Sequence, residues 1–265
     1  MKGVLAVVVA LLACCGTTVA RAADAPPAPG ALVVALGLGD PVLQAGAVRG
    51  RDVIVARGFE VELARLLARR LGGRVDRFVY VPSTARLLAA GSSGWHLALA
   101  GIERSAAPRR ADLTRPYLTS DVAVVTRRGL AAPGSLAELR RTVLCAVRGG
   151  DGARVASSAV RPTRAPLLVV GPERLRAVLR AGACDAALVP AIEAGRFVEG
   201  HRRLFGSVVG RIRHGDGLAA VVPAGSGLAL ETVNRELWRL RRDGTLSRLA
   251  RAWLGIDPAA LRVLR

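Results

Sequence analysis

The stretch ALAGIERSAAPRRADLTRPYLTSDVAVV, residues 98–125, decides how the chain divides. An apolar run ends at Gly101, an arginine-rich loop follows, and "TRPYLTS" leads into a second apolar run. Upstream, "ALVVALGLG" (31–39) reads as a buried strand closed by glycine, and 40–57 reads as a loop. "GFEVELARLLARRLGG" (58–73) carries Phe59, Leu63, Leu66, Leu67 and Leu71 at helical spacing, with glutamates early, arginines late and Gly72 placed to end a helix. "VDRFVYVP" (75–82) is a strand, "TARLLAAG" (84–91) a short helix and "LALAG" (97–101) a strand. Alternating strands and helices predict a parallel sheet covered on both faces. The loop after Gly101 therefore lies at the carboxyl end of a strand, where open sheets of this kind bind ligands.

Downstream the pattern repeats. Ser135 with Glu138 forms a capping box. Strands are expected at 142–149, 166–171 and 184–189, with helices near 152–160, 172–182 and 191–199; Pro172 suits a helical first turn. Residues 218–225 read as another strand. The tail has two helices that meet at Asp243-Gly244, the first with Leu230, Val233, Leu237, Trp238 and Leu240 on one stripe. Two similar α/β units predict two lobes with a cleft between them.

The 265 residues are 51% hydrophobic and only 3% aromatic, so Leu, Val and Ala must build the cores. Residues 1–22 have the form of a secretory signal, with Lys2, an apolar stretch and Ala20-Arg21-Ala22 at the cleavage site. Residues 23–30 form a Pro/Ala linker. Leu11 to Cys14 also resembles a lipoprotein box, which would make Cys14 a lipid anchor. Either route predicts a periplasmic or extracellular protein. Export leaves Cys145 and Cys184, which are either a disulfide or two small core residues. Formal net charge is +19, and Lys2 is the only lysine among 39 basic residues. That charge either attracts an anionic partner or has accumulated on solvated helix faces. Without interleaved aromatics it does not point to nucleic acid.

Several segments, taken in order, resemble family 3 of the extracellular solute-binding proteins, the ligand-capturing partners of ABC-type importers. They are "GFEVELARLLARRLG", "LLAAGSSGWHLALAG", "ADLTRPYLTSDVAVVTRRG", "LAELRRTVLCAVRGGDG", "VLRAGACDAALV" and "VNRELWRLRRDGTLSRLARAWLG", together spanning roughly residues 57–255. The resemblance implies an α/β, two-lobe periplasmic-binding-protein-like fold of type II, each lobe a mostly parallel sheet flanked by helices, with two hinge crossovers. Lobe 1 would be 31–124 plus the return at 218–265, and lobe 2 would be 128–215. It implies a small polar ligand and a membrane permease as partners, a monomer, and neither cofactor nor metal.

The family's pocket positions carry over unevenly. Gly101 matches the end of the first-lobe strand, but Glu103 stands where a Thr or Ser is usual, and a carboxylate there suits an amine or hydroxyl. The arginine that grips a ligand carboxylate falls on Arg109 or Arg110. Gly149, Gly150 and Asp151 replace a Gly-Thr-Thr-Gly turn, keeping the backbone cradle and losing the hydroxyls. The ammonium-binding aspartate maps to Pro190, with Glu193 nearby as a substitute. The α-amino-acid signature is thus eroded.

No enzyme is expected. "AGSSGW" and "PAGSGL" each lack a glycine of the nucleophile elbow, "GLGDPV" lacks the third glycine of a dinucleotide fingerprint, and His96, His201 and His214 are dispersed. Two rival readings remain beside transport. One is an accessory or sensor module on the same fold. The other is a cyclohexadienyl-dehydratase-like enzyme that would use Glu103 for acid–base work.

Overall fold

The computed structural model describes residues 30–89, 94–107, 112–200 and 205–265. The signal segment, Cys14, Arg109 and Arg110 lie outside the described residues. The first sheet holds β1 (Ala31–Leu36), β2 (Ala45–Arg49), β3 (Asp52–Arg57), β4 (Arg74–Tyr80) and β5 (Leu97–Leu99), in the order β2-β3-β4-β1-β5. β1 is buried along its whole length and pairs in parallel with β4 and β5. Its continuous apolar run is what a strand covered on both faces requires.

α1 (Phe59–Arg70) lays Phe59, Leu63 and Leu67 on this sheet, each with no exposed surface, while Leu66 and Leu71 are half-buried. Gly72 ends it at φ 80°. α2 (Thr84–Leu88) is short, as expected. His96 braces β1, accepting from the Val33 N–H through Nδ1 at 3.0 Å.

The stretch 40–57 is not a loop. It forms an antiparallel β2–β3 hairpin at the sheet's edge. Glycines at 46 and 50 and exposed charges at Arg49, Arg51 and Asp52 erase the alternation that would have announced two strands.

The second sheet holds β6 (Val122–Arg127), β7 (Leu144–Val147), β8 (Leu167–Val169), β9 (Ala186–Pro190) and β10 (Phe205–Ile212), in the order β10-β6-β9-β7-β8. β7 runs parallel to β8 and β9, whereas β6 runs antiparallel to β9 and β10. Both sheets are therefore mixed rather than wholly parallel. Val122 to Val124, grouped with the first unit in the sequence reading, hydrogen-bond into the second sheet. Helices α3 (Leu136–Arg141), α4 (Asp151–Val155), α5 (Gly171–Arg180) and α6 (Ala194–Val198) flank it. Ser135 Oγ accepts the Glu138 N–H at 3.2 Å, and Glu138 Oε2 reaches back to the Gly134 N–H at 2.7 Å, so the capping box closes one residue upstream. Cys145 and Cys184 form a disulfide beneath α5, closing a 39-residue separation inside this lobe.

The chain crosses between sheets at residues 118–122 and again at 212–218. Residues 218–222 make no ladder. They meet Ala98, Leu113 and Leu118 through single bridges, which corrects the strand expected at 218–225. α7 (Leu230–Arg242) and α8 (Thr245–Leu254) then bury Val233, Leu237, Leu240, Leu246 and Leu254 in the first lobe's core, and the turn between them falls at Asp243-Gly244. The last residues leave that lobe again. Val263 bridges to Arg211 on β10, and Leu264 joins a core cluster of the second sheet.

Candidate functional site

Between the two sheets lies a cavity of about 340 Å³, at the carboxyl ends of β1, β5 and β9. The first lobe contributes Asp40, Gly101 and Glu103. The second contributes Asp151, Pro190 and Glu193, and the first crossover supplies Ser120 and Asp121. The structure thus brings Gly101, Glu103 and Asp151 to one cavity. Gly149 and Gly150 form the turn from β7 into α4 and are not in its lining. Asp151 is the first residue of α4, which Gly150 caps. Asp40, Ser120 and Asp121 were not singled out as ligand residues from sequence. A carboxylate directly after a strand-closing glycine, as in Gly39-Asp40, was the available signal.

Five carboxylates line this cavity and, among the described residues, no arginine does, in a chain of net charge +19. Their charges are not equally free. Asp121 is ion-paired with Arg211 and also accepts the His214 N–H at 3.0 Å. Asp151 pairs with Arg154 and lies 3.6 Å from His214 Nε2. Glu103 Oε1 accepts from the Ser120 hydroxyl at 2.7 Å and from the Asp216 N–H at 3.1 Å. No salt bridge reaches Asp40 or Glu193 among the described residues. Glu193 is held above the usual carboxylate range, chiefly by burial and then by the charge of Asp40. A buried carboxylate on one lobe, its ionised form disfavoured by a carboxylate on the other although Arg176 offsets part of this, makes a cavity in which a positive group is stabilised.

Glu103 also binds the two crossovers together. The Ser120 hydroxyl that donates to it accepts the Gly217 N–H at 3.0 Å, so one carboxylate and one hydroxyl connect the outgoing and returning segments. Gly215 makes this possible. It sits at φ +58°, and a Cβ there would fall 1.7 Å from Glu103 Oε1. Arg211, whose pKa is lowered first by burial and then by neighbouring Arg213, adds a donation to the Leu261 carbonyl at 3.0 Å.

Behind the first-lobe rim lies a buried carboxylate that sequence reasoning treated as an ordinary first-turn glutamate. Glu60 has no exposed surface. It accepts from the Gly101 N–H at 2.8 Å, from Gln44 Nε2 at 2.5 Å and from the Tyr117 hydroxyl. Burial pushes its pKa up to about 7 despite these donors, with Asp40 adding to the rise. The same burial and the adjacent carboxylate drive the Tyr117 phenol well above its normal range. Glu60 therefore joins the cavity rim at Gly101 to Tyr117, the residue just before the first crossover.

Solved structures resemble the chain over most of its length. The second substrate-binding domain of Lactococcus lactis GlnP, in an open conformation, gives a TM-score of 0.69 at 17% identity and covers 88% of this chain and 98% of that one. A polar amino acid ABC uptake transporter substrate-binding protein from Streptococcus thermophilus gives 0.68 at 16%, covering 86% and 88%. An ancestral cyclohexadienyl dehydratase gives 0.61 at 22%, covering 86% and 94%. These likenesses establish the two-lobe fold. No curated protein matches the chain. The sequence pattern of the bacterial extracellular solute-binding proteins, family 3, matches residues 51–256, and the chain belongs to that family.

Proposed function

We propose that this protein captures a small polar solute bearing a cationic group in the interlobe cleft and delivers it to the permease of an ABC-type importer, without chemical turnover. The observation that carries the reading is the carboxylate lining, with Asp40 and Glu193 facing the cavity from opposite lobes. A cation between them removes their mutual repulsion only when the lobes approach. That is the differential affinity for the closed state on which capture depends. Glu103 and Asp151 supply acceptors on either side. Arg109 and Arg110 are the sequence candidates for holding a carboxylate on an amino-acid-like solute.

Thermal unfolding in the presence of single solutes tests this. Arginine, lysine and simple diamines are expected to raise Tm, by an amount equivalent to about 2.7 kcal/mol at a hundredfold excess over Kd, while glutamate and aspartate leave it unchanged. Mass spectrometry of molecules released on denaturing freshly purified protein should find the same charge class. Stabilisation by acidic solutes alone would overturn the reading, and conversion of the bound molecule would replace transport with catalysis.

A further inference from the structure

We infer that the β2–β3 hairpin and the groove beside it form a docking face for an anionic lipid surface, independent of the solute the cleft takes. β3 is paired to β4 only at Asp52–Val79; beyond that pair the strands part around a groove of about 740 Å³. Five arginines and two aspartates line it. Arg65 is committed to Glu62 and stacks over Phe78, and Asp76 lies 3.9 Å from Arg74 and 3.7 Å from Arg77. Arg57, Arg69 and Arg74 are exposed. The surface is thus the inverse of the cleft, an excess of guanidinium groups suited to bidentate contact with phosphate.

Charge alone would fit any polyanion; the apolar side chains select among them. Ile54 and Val55 line the same groove, and Val55 is 76% exposed. Val55 also sits at φ 55°, a conformation a β-branched residue rarely adopts. The strain arises at a bulge, where the β2–β3 register shifts opposite Ala45 to Ala47 and the side chain is tipped into solvent. Glycine would fit that backbone without strain, so the valine is held against the preference of the fold while contributing nothing to the core. A purely hydrophilic polyanion would neutralise the arginines and leave these side chains in water. A lipid surface offers phosphates to the arginines and an apolar boundary to Ile54 and Val55 at once.

Co-sedimentation of the full chain with vesicles tests this. Binding is expected to vesicles of equal parts phosphatidylcholine and phosphatidylglycerol, to weaken as salt rises, and to be at least tenfold weaker on phosphatidylcholine alone. Arg57→Glu with Arg74→Glu should lower binding at least ~25-fold, at ~fivefold per basic residue lost with the added carboxylates lowering it further. Arg174→Glu with Arg180→Glu, an equal charge change on exposed positions of α5, should leave it within about twofold. Val55→Gly should lower binding ~fivefold while Tm holds or rises, because the loss of apolar contact accompanies relief of strain. Equal loss with the α5 pair, unchanged binding in Val55→Gly, or binding of soluble polyglutamate without binding to either vesicle would overturn the inference.

Discussion

The two lobes solve the same packing problem with different fasteners. Lobe 2 encloses a covalent one, the Cys145–Cys184 disulfide that ties β7 to the turn between α5 and β9. Lobe 1 has no disulfide among its described residues and instead gathers its rim, its first helix and the crossover around the ionisable Glu60. One lobe should therefore answer to redox conditions and the other to pH. The tryptophans make the contrast measurable, since Trp95, Trp238 and Trp253 all belong to lobe 1 or the helices packed on it.

The largest expected effect is on lobe 2. Replacing both cysteines by alanine should cost about 4 kcal/mol, from the entropy of a loop of this length in the unfolded chain. In urea, circular dichroism should then show an early transition while tryptophan fluorescence keeps its original midpoint. If the two signals shift together, the lobes unfold as one unit and the contrast fails.

The next effect belongs to lobe 1 and has a definite sign. Folded Glu60 holds its proton up to about pH 7, whereas the unfolded side chain releases it near 4.5. The folded state binds more protons in that window, so this group's contribution falls as pH rises from 4.5 to 7, by about 3 kcal/mol. The fluorescence-detected midpoint should decline across that range, and Glu60→Gln should flatten the decline. A slope that survives the substitution assigns the pH dependence elsewhere.

Where the lobes join, Gly215→Ala should destabilise by about 2 kcal/mol, through a positive φ and the collision with Glu103. It should also reduce solute-induced stabilisation, which calorimetry of the variant can separate from the fold effect. The smallest expected change is in the cleft. Glu193→Gln should weaken a cationic solute about tenfold with Tm in its absence nearly unchanged. An unaltered Kd by titration calorimetry would place the cationic group elsewhere in the cavity.

Much of the architecture was legible because burial imposes a period. β1, β5, β7 and β9 are short continuous apolar runs, and α1, α5 and α7 repeat apolar residues at helical spacing. β2, β3 and β10 were missed for a shared reason. Each lies at a sheet edge or carries glycines and arginines on an exposed face, so no alternation survives. The site was legible only where it follows a strand end, as at Gly101, Glu103 and Asp151. Asp40 had only its place after Gly39 to mark it, and Asp121 and Glu60 gave no signal of their own, because a carboxylate's role depends on what lies across from it.

The two alternating units, the helical return and the family could be read along the chain, since they rest on local periodicity and on the order of motifs. It takes the folded chain to show that two cysteines 39 residues apart meet, and that a first-turn glutamate is sealed beneath Gly101. The fold alone showed that a strongly basic chain turns five carboxylates inward to its cleft. Those outcomes depend on distances between residues remote in the chain, and electrostatic energy follows distance in space rather than position in sequence.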